Sequence, residues 1–230
     1  MPHLLILAFL ALAFGLAMAS LVGGMAHRGD LPSGVTRKVF HAGIFTGAVP
    51  AHLLQGFWGV VTYGIVIALV VLVGYWQGPG SPFHAALARD AEGDPSHRTF
   101  LIPLASTAMG GLLAALLVGS FAVVGYLVCG WGDGAGEPVG KRWGRHWYSP
   151  PFAEKGRKTR SLEGSLGVLL VGSVGGAVAL SLLGYSPVQS LCIGFACGAG
   201  GSLVEGLSGS ETDNLWVQLL PSLIAWWFLR

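Results

Sequence analysis

The chain alternates between long apolar blocks and short segments that carry all of its charges. No Lys, Arg, Asp or Glu occurs in residues 39–88, 99–132, 164–204 or 214–229. A membrane-spanning helix needs about 20 predominantly apolar residues, whereas a surface helix of a soluble protein carries a polar face. The pattern therefore predicts that each block holds one or more membrane-spanning helices.

The boundaries of the spans follow from turn-forming residues inside the blocks. The first span is predicted at residues 4–26, because the Met-Pro-His start lacks the positive region of a cleaved signal peptide, although Ala17-Met18-Ala19 imitates a cleavage site. The Pro50 to Gly56 region divides residues 39–76 into two short spans before a polar loop. The remaining spans are predicted within 99–131 (two, with turns at Gly110-Gly111 or Gly119-Ser120) and at 164–183, 187–204 and 215–229.

Composition supports the same class of protein. The chain is 53% hydrophobic and 10% charged, whereas soluble domains carry roughly 25% charged residues. The predicted fold is an all-α, polytopic transmembrane helical bundle that forms a single integral membrane domain over residues 1–230. It has about eight spans, with seven as the competing count.

The orientation follows from the basic residues. Seven of the 13 Lys and Arg lie within residues 141–160, and three more lie within residues 28–38. Loops rich in Lys and Arg remain in the cytoplasm, so both segments are predicted to be cytoplasmic and the N-terminus outside. An even number of crossings then separates them, which favours two spans within 99–131. The membrane is the inner membrane of a bacterium, or the endoplasmic reticulum or plastid membrane of a eukaryote.

A Gly-rich, basic segment follows the fifth predicted span. Gly132, Gly134 and Gly140 would let backbone N–H groups turn toward an anion, and Lys141 adds positive charge. Asp133 would bind the metal that accompanies a nucleotide. Residues 132–165 are therefore predicted to form a cytoplasmic nucleotide-binding loop that is neither a P-loop nor a dinucleotide fingerprint. An ordinary basic connecting loop is the alternative.

Four motifs in a fixed order carry a family resemblance. They are Arg37-Lys38-Val39-Phe40-His41, Gly132-Asp133-Gly134 with Gly140-Lys141, Lys158-x-x-Ser161-x-Glu163-Gly164-Ser165, and Glu205 with Asp213-Asn214-Leu215. This order resembles the CTP-dependent polyprenol kinase family, which includes dolichol kinase, phytol and farnesol kinases and the yeast-type CTP-dependent diacylglycerol kinase. The resemblance runs from Arg37 to Pro221. It implies transfer of the γ-phosphate of CTP to a lipid alcohol such as phytol, geranylgeraniol or dolichol.

The resemblance also implies roles for individual residues. Asp133, Glu205 and Asp213 are the expected catalytic residues and the expected ligands of Mg²⁺ or another divalent cation. Either Glu205 or Asp213 would accept the proton of the alcohol. The interrupted pair Lys158-Thr159-Arg160-Ser161 departs from the family's Lys-Ser dipeptide and leaves the identity of the alcohol open. The expected nucleotide-binding residues are Arg37, Lys38, Gly132, Gly134, Gly140, Lys141, Lys158, Ser161, Glu163 and Asn214.

Two other functions stay open from the sequence. A phosphatidate cytidylyltransferase also combines CTP, a membrane lipid and an Asp-bearing motif, but it forms a CDP-lipid. A transporter would place ionisable groups near the membrane midplane; because all 24 charged residues lie outside the apolar blocks, it ranks third. The expected partners are CTP, a lipid alcohol and membrane lipids, without nucleic acid, and the oligomeric state is left open.

Overall fold

The molecule is built almost entirely of long apolar helices. The computed structural model describes residues 2–29, 33–78, 81–87, 97–152, 159–209 and 212–230. Within these ranges, five helical runs are long and apolar enough to cross a membrane: Pro2–His27, Gly34–Gln77, Leu101–Trp143, Leu162–Leu182 and Pro187–Leu207. The prediction of an all-α membrane protein is confirmed.

The chain forms two compact units, Met1–Leu104 and Ala105–Arg230. The first contains α1 (Pro2–His27), α2 (Ser33–Gln77), the short α3 (Pro82–Leu87) and the start of α4 (His97–Val118). Its core includes Ala19, Val22, Phe40 and Val70, which join α1 to α2. The single integral membrane domain expected over residues 1–230 stays a prediction.

Two glycines break the longest helical runs. Gly56 interrupts α2 with φ 60°, and Gly119 follows α4 with φ 57°. A positive φ has a low energy cost at glycine because glycine lacks a Cβ. Breaks in the Pro50 to Gly56 region and at Gly119-Ser120 are therefore confirmed, whereas Gly110-Gly111 lies inside α4 and makes no turn. The count of eight crossings stays a prediction.

A fully buried helix lies at the centre of the second unit. After a single 3₁₀ turn (Gly119–Phe121), helical backbone runs through α5 (Ala122–Leu127), a π-helical turn (Val128–Asp133) and α6 (Gly134–Trp143). The residues from Ala122 to Cys129 are buried on every side. A helix that is apolar all round belongs in the middle of a bundle. This helix carries Asp133 at the end of its buried stretch.

Three further helices pack around this central helix: α7 (Leu162–Leu182), α8 (Pro187–Leu207) and α9 (Asp213–Leu229). They confirm helices at the three last predicted spans. Ser186 caps α8 through the backbone N–H of Gln189, which fixes the short turn after α7. Before α7, β1 (Trp147–Tyr148) pairs antiparallel with β2 (Arg160–Ser161), a small element that the sequence did not predict.

The Gly-rich segment differs from its prediction. Residues 132–143 are helical, so the expectation of an irregular loop is wrong there and their N–H groups do not form an open cradle for an anion. The glycines instead permit close packing on α7. A Cβ at Gly132 would lie 3.0 Å from the Cα of Gly172, and a Cβ at Gly136 would lie 2.6 Å from Cγ2 of Val168. Irregular backbone begins at Gly144.

Candidate active site

A buried guanidinium joins the ends of three helices in the second unit. Arg160 lies in β2, two residues before α7, and its side chain is 11% exposed. Its Nη2 donates to Oδ2 of Asp213 at 2.7 Å, and its Nη1 forms an ion pair with Oε1 of Glu205. Glu205 lies in the last turn of α8, and Asp213 is the first residue of α9. Arg160 therefore fixes these two carboxylates relative to the start of α7.

Asp133 adds a third carboxylate to the same place. Burial of the guanidinium lowers the pKa of Arg160, but the negative charges of Glu205, Asp213 and Asp133 outweigh burial and raise the pKa above its ordinary value. All three carboxylates are buried. Asp133, Arg160, Glu205 and Asp213 are called the acid–arginine cluster below. Ionised groups at the edge of a membrane protein are costly unless paired, and such clusters mark functional sites.

The local backbone explains how Asp133 reaches this cluster. Asp133 ends the π-helical turn, a rare conformation that occurs frequently at functional sites. The helix then continues as α6 along the first turns of α7 and past Glu205. A Cβ at Gly136 would lie 3.8 Å from Oε1 of Glu205. The close approach of α6 thus brings the helix of Asp133 beside the end of α8.

The start of α9 is held by hydrogen bonds from α4. Asp213 accepts the backbone N–H of Asn214 on Oδ1 at 2.9 Å, and Ser106 accepts the N–H of Leu215 at 3.1 Å. The side-chain amide of Asn214 donates to Oγ1 of Thr107 at 2.8 Å. The amide of Gln218 donates to the carbonyl of Thr107 at 3.0 Å. Ser106, Thr107, Asn214 and Gln218 are called the α4–α9 polar network below, and they orient Asp213.

The start of α7 is anchored by a second set of contacts. Ser161 caps α7 by accepting the N–H of Gly164 at 3.0 Å. Glu163 lies 2.7 Å from Nδ1 of His146 and accepts the N–H of His146 at 3.3 Å. The hydroxyls of Tyr148 and Ser165 are 2.9 Å apart. The third motif therefore holds the β1–β2 pair against α7, and with it the backbone of Arg160.

The structure brings together some of the predicted site residues. Glu205 and Asp213 pair with Arg160, and the charge of Asp133 acts on the same guanidinium. Ser161, Glu163 and Asn214 serve as capping or hydrogen-bonding residues at the starts of α7 and α9. Gly132, Gly134 and Gly140 lie on helical backbone, and the exposed Lys141 pairs with Glu137 at 2.9 Å. The assignment of these residues to catalysis or nucleotide binding stays a prediction.

The remaining predicted cations lie elsewhere in the chain. Arg37 and Lys38 belong to α2 in the first unit, where Arg37 is half-buried and Lys38 is 6% exposed. Such burial is unusual for a basic residue that serves merely to orient a span, because long cationic side chains near helix ends normally extend to the interface. Lys158 lies outside the described residues. A joint site of Arg37 and Lys38 with the acid–arginine cluster stays a prediction.

The carboxylates fit a metal site less completely than expected. Within the described parts of the chain, no group of three or more His, Cys, Asp and Glu side chains is arranged to hold a metal ion. Arg160 explains this, because its guanidinium pairs with both Glu205 and Asp213. Mg²⁺ in nucleotide sites takes one or two carboxylates and completes its shell with phosphates and water, and a magnesium ion at the buried Asp133 stays a prediction.

Arg160 is the important residue that the sequence reasoning missed. It was counted among the basic residues that set topology, and the Lys of the family's Lys-Ser dipeptide was matched to Lys158. The signal was present, because a cation directly precedes Ser161 in the sequence. Ser106, Thr107 and Gln218 of the α4–α9 polar network were missed for a different reason: they are neutral and do not interrupt an apolar block.

Comparison with known proteins identifies the family. No protein-family model matches the chain. No solved structure matches it. A phytol kinase from Synechocystis sp. is 32% identical over 198 residues, which cover 85% of this chain and 79% of the relative. The resemblance expected from the four motifs is thereby confirmed, and the chain belongs to the polyprenol kinase family, which includes the phytol kinases.

Proposed function

We propose that the protein is a membrane lipid-alcohol kinase that transfers the γ-phosphate of CTP to a polyprenol or isoprenoid alcohol. The observation that carries this proposal is the buried acid–arginine cluster in a member of a lipid kinase family. Phosphoryl transfer requires mainly the positioning of reactants and the stabilisation of charge. A set of buried charges held by three helix ends suits both requirements.

The position of the cluster suits a reaction between a lipid and a soluble nucleotide. It lies where α7 begins, α8 ends and α9 begins, which is one end of this helical bundle. A lipid alcohol in the bilayer can present its hydroxyl group there, while the nucleotide reaches the same end from water. The adjoining Lys141, Arg142 and Arg145 support the proposal that this end faces the cytoplasm.

We assign different roles to the three carboxylates. Asp133 would hold Mg²⁺, which supplies neutralisation of the negative charge on the nucleotide phosphates. Both oxygens of Asp213 accept hydrogen bonds, from Asn214 and Arg160, so Asp213 serves to hold Arg160. Glu205, beside the helix of Asp133, is then the better candidate to accept the proton of the alcohol.

The donor and the acceptor rest on the family relationship. The similarity to a phytol kinase from Synechocystis sp. supports phytol as one acceptor to test, and geranylgeraniol and dolichol are related isoprenoid alcohols. CTP is proposed as the donor because the motif order resembles that of CTP-dependent kinases. Lys38 and Arg37 would contribute positive charge toward the triphosphate.

A single labelling experiment tests the reaction. The purified protein is incubated with Mg²⁺ and CTP labelled at either the α or the γ phosphate, with phytol, geranylgeraniol, undecaprenol or diacylglycerol as acceptor. We expect γ label, and no α label, in the lipid fraction with an isoprenoid alcohol. Unlabelled ATP in tenfold excess should compete poorly, and EDTA should abolish the transfer.

The other outcomes identify the alternatives. Label that enters lipid from the α phosphate would identify a cytidylyltransferase. If neither label enters any lipid, although the protein is folded in detergent, the kinase proposal is wrong and transport becomes the function to test. Preference for ATP over CTP would support the lipid kinase activity but contradict CTP as the phosphate donor.

A further inference from the structure

An open groove beside the acid–arginine cluster has the chemistry of a phospholipid site. It is lined by Arg145, His146, Trp147, Tyr148 and Leu162. Arg145 is exposed, and the side chain of His146 is 72% exposed. The groove therefore combines one exposed guanidinium, and an imidazole that is paired with the Glu163 carboxylate, with two aromatic side chains and one aliphatic wall.

The groove lies at the level of a membrane surface. The candidate span Leu101–Trp143 ends just before it, and the candidate span Leu162–Leu182 begins at its wall, so the described residues 144–152 and 159–161 lie between two candidate spans. Trp and Tyr are enriched at this level because one part of each ring system is apolar and another part is polar. Lipid headgroups are consequently within reach of Arg145 and His146.

An apolar path leads from the groove along α7. Leu162, Leu166, Leu170 and Val174 follow each other at intervals of four residues, and each is more than half exposed, at 60%, 52%, 55% and 57%. Positions four apart lie on one face of a helix. The stripe begins at Leu162 in the groove and runs into the span, which is the arrangement that an acyl chain attached to a headgroup in the groove requires.

We propose that this groove binds an anionic phospholipid of the surrounding bilayer, with its phosphate at the guanidinium of Arg145 and an acyl chain along the Leu162 to Val174 stripe. The exposed guanidinium of Arg145 complements an anionic headgroup while His146 stays paired with Glu163, and the exposed aromatic ring of Trp147 contacts the glycerol region. The two strands of the groove also position Arg160, so a bound lipid stabilises the segment that orders the acid–arginine cluster. This binding does not depend on the kinase reaction.

The test measures lipid retention on the full chain. The protein is purified in detergent, stripped of lipid and mixed with phosphatidylglycerol or phosphatidylcholine of identical chains, and bound lipid is counted by native mass spectrometry. We expect the wild type to retain more phosphatidylglycerol than phosphatidylcholine. Arg145→Gln should lower retained phosphatidylglycerol about fivefold, the effect of one basic residue near an anionic surface, without changing phosphatidylcholine.

Arg230→Gln is the matched control. Arg230 also lies over tryptophan rings, 4.6 Å from the ring centres of Trp226 and Trp227, but at the opposite end of α9. The Arg230→Gln variant should retain as much phosphatidylglycerol as the wild type does. Leu166→Asn should lower retention of both lipids, because it interrupts the apolar stripe. Equal retention of the two lipids by the wild type, unchanged retention by Arg145→Gln, or an equal loss in Arg230→Gln would overturn the proposal.

Discussion

Two buried polar clusters hold the first turn of α9, and they differ in charge. The acid–arginine cluster contains four ionisable side chains, whereas the α4–α9 polar network contains neutral hydroxyl and amide groups. A neutral hydrogen bond contributes about 1 kcal/mol to stability, while burying ions costs several kcal/mol that their pairing does not always recover. The neutral network is therefore sufficient to hold helices together. The charged cluster is explained better by a role in chemistry.

The largest effect should come from the carboxylate on the central helix. Asp133→Asn keeps the shape of the side chain but removes its charge, so we expect lipid phosphorylation to fall by about 10³-fold. The protein should remain folded in detergent, with an unchanged thermal unfolding temperature. Wild-type turnover in this variant would show that Asp133 binds no metal, and would contradict the contrast between the two clusters.

Removing the guanidinium should affect both activity and stability. Arg160→Gln leaves Glu205 and Asp213 buried without their shared cation, and breaking a buried ion pair costs about 3–5 kcal/mol. We expect lost phosphorylation together with a markedly lower unfolding temperature. Arg230→Gln, at an exposed position, should leave both unchanged. A stable Arg160→Gln variant would mean that the cluster tolerates its charges without the arginine.

Substitutions in the α4–α9 polar network should lower the turnover number and leave the affinity for the nucleotide unchanged. Asn214→Ala and Thr107→Val each remove the hydrogen bond between these side chains, which orients the residue next to Asp213. We expect kcat to fall about fivefold in both variants, from the loss of roughly 1 kcal/mol of positioning, with the KM for the nucleotide unchanged. If Asn214 contacts the nucleotide, as the motif suggested, KM will rise in Asn214→Ala and stay normal in Thr107→Val.

The smallest effect concerns the packing of α6. Gly136→Ala places a methyl group 2.6 Å from Val168, and relief of such a clash costs about 1–3 kcal/mol. Gly64→Ala is the control, because Gly64 also lies in a helix and a Cβ added there would meet open space. We expect Gly136→Ala to lower the unfolding temperature and Gly64→Ala to leave it the same or raise it. If the two variants changed the unfolding temperature equally, residues 132–143 would be better described as a flexible phosphate-binding loop than as a packed helix.

Much of the fold follows from the sequence because a bilayer imposes a simple rule. Charge-free blocks of sufficient length become helices, and glycines at Gly56 and Gly119 supply the breaks that the block lengths require. The nature of the 132–143 segment could not be predicted in the same way. Its glycines suit both an open anion loop and a closely packed helix, and the difference depends on the opposing surface of α7, which the segment itself does not encode.

The sequence points to the three carboxylates of the site, but it does not show how they are arranged around Arg160. Asp133, Glu205 and Asp213 were found through short motifs far apart in the chain. The ion pairs of Glu205 and Asp213 with Arg160 depend on how β1 and β2 pair, and a strand of two residues leaves no periodic signal. Ser106, Thr107 and Gln218 illustrate a second limit, because hydropathy averages hide neutral polar residues that face each other across two helices.

The hydrogen bonds from α4 to the start of α9 have a consequence for biogenesis. Ser106 and Thr107 enter the membrane early in synthesis, about a hundred residues before Asn214 and Gln218 leave the ribosome. Until α9 arrives, their polar groups lack these partners, and Arg160 lacks Asp213. Insertion of α9 therefore completes the core and the charged cluster in one step.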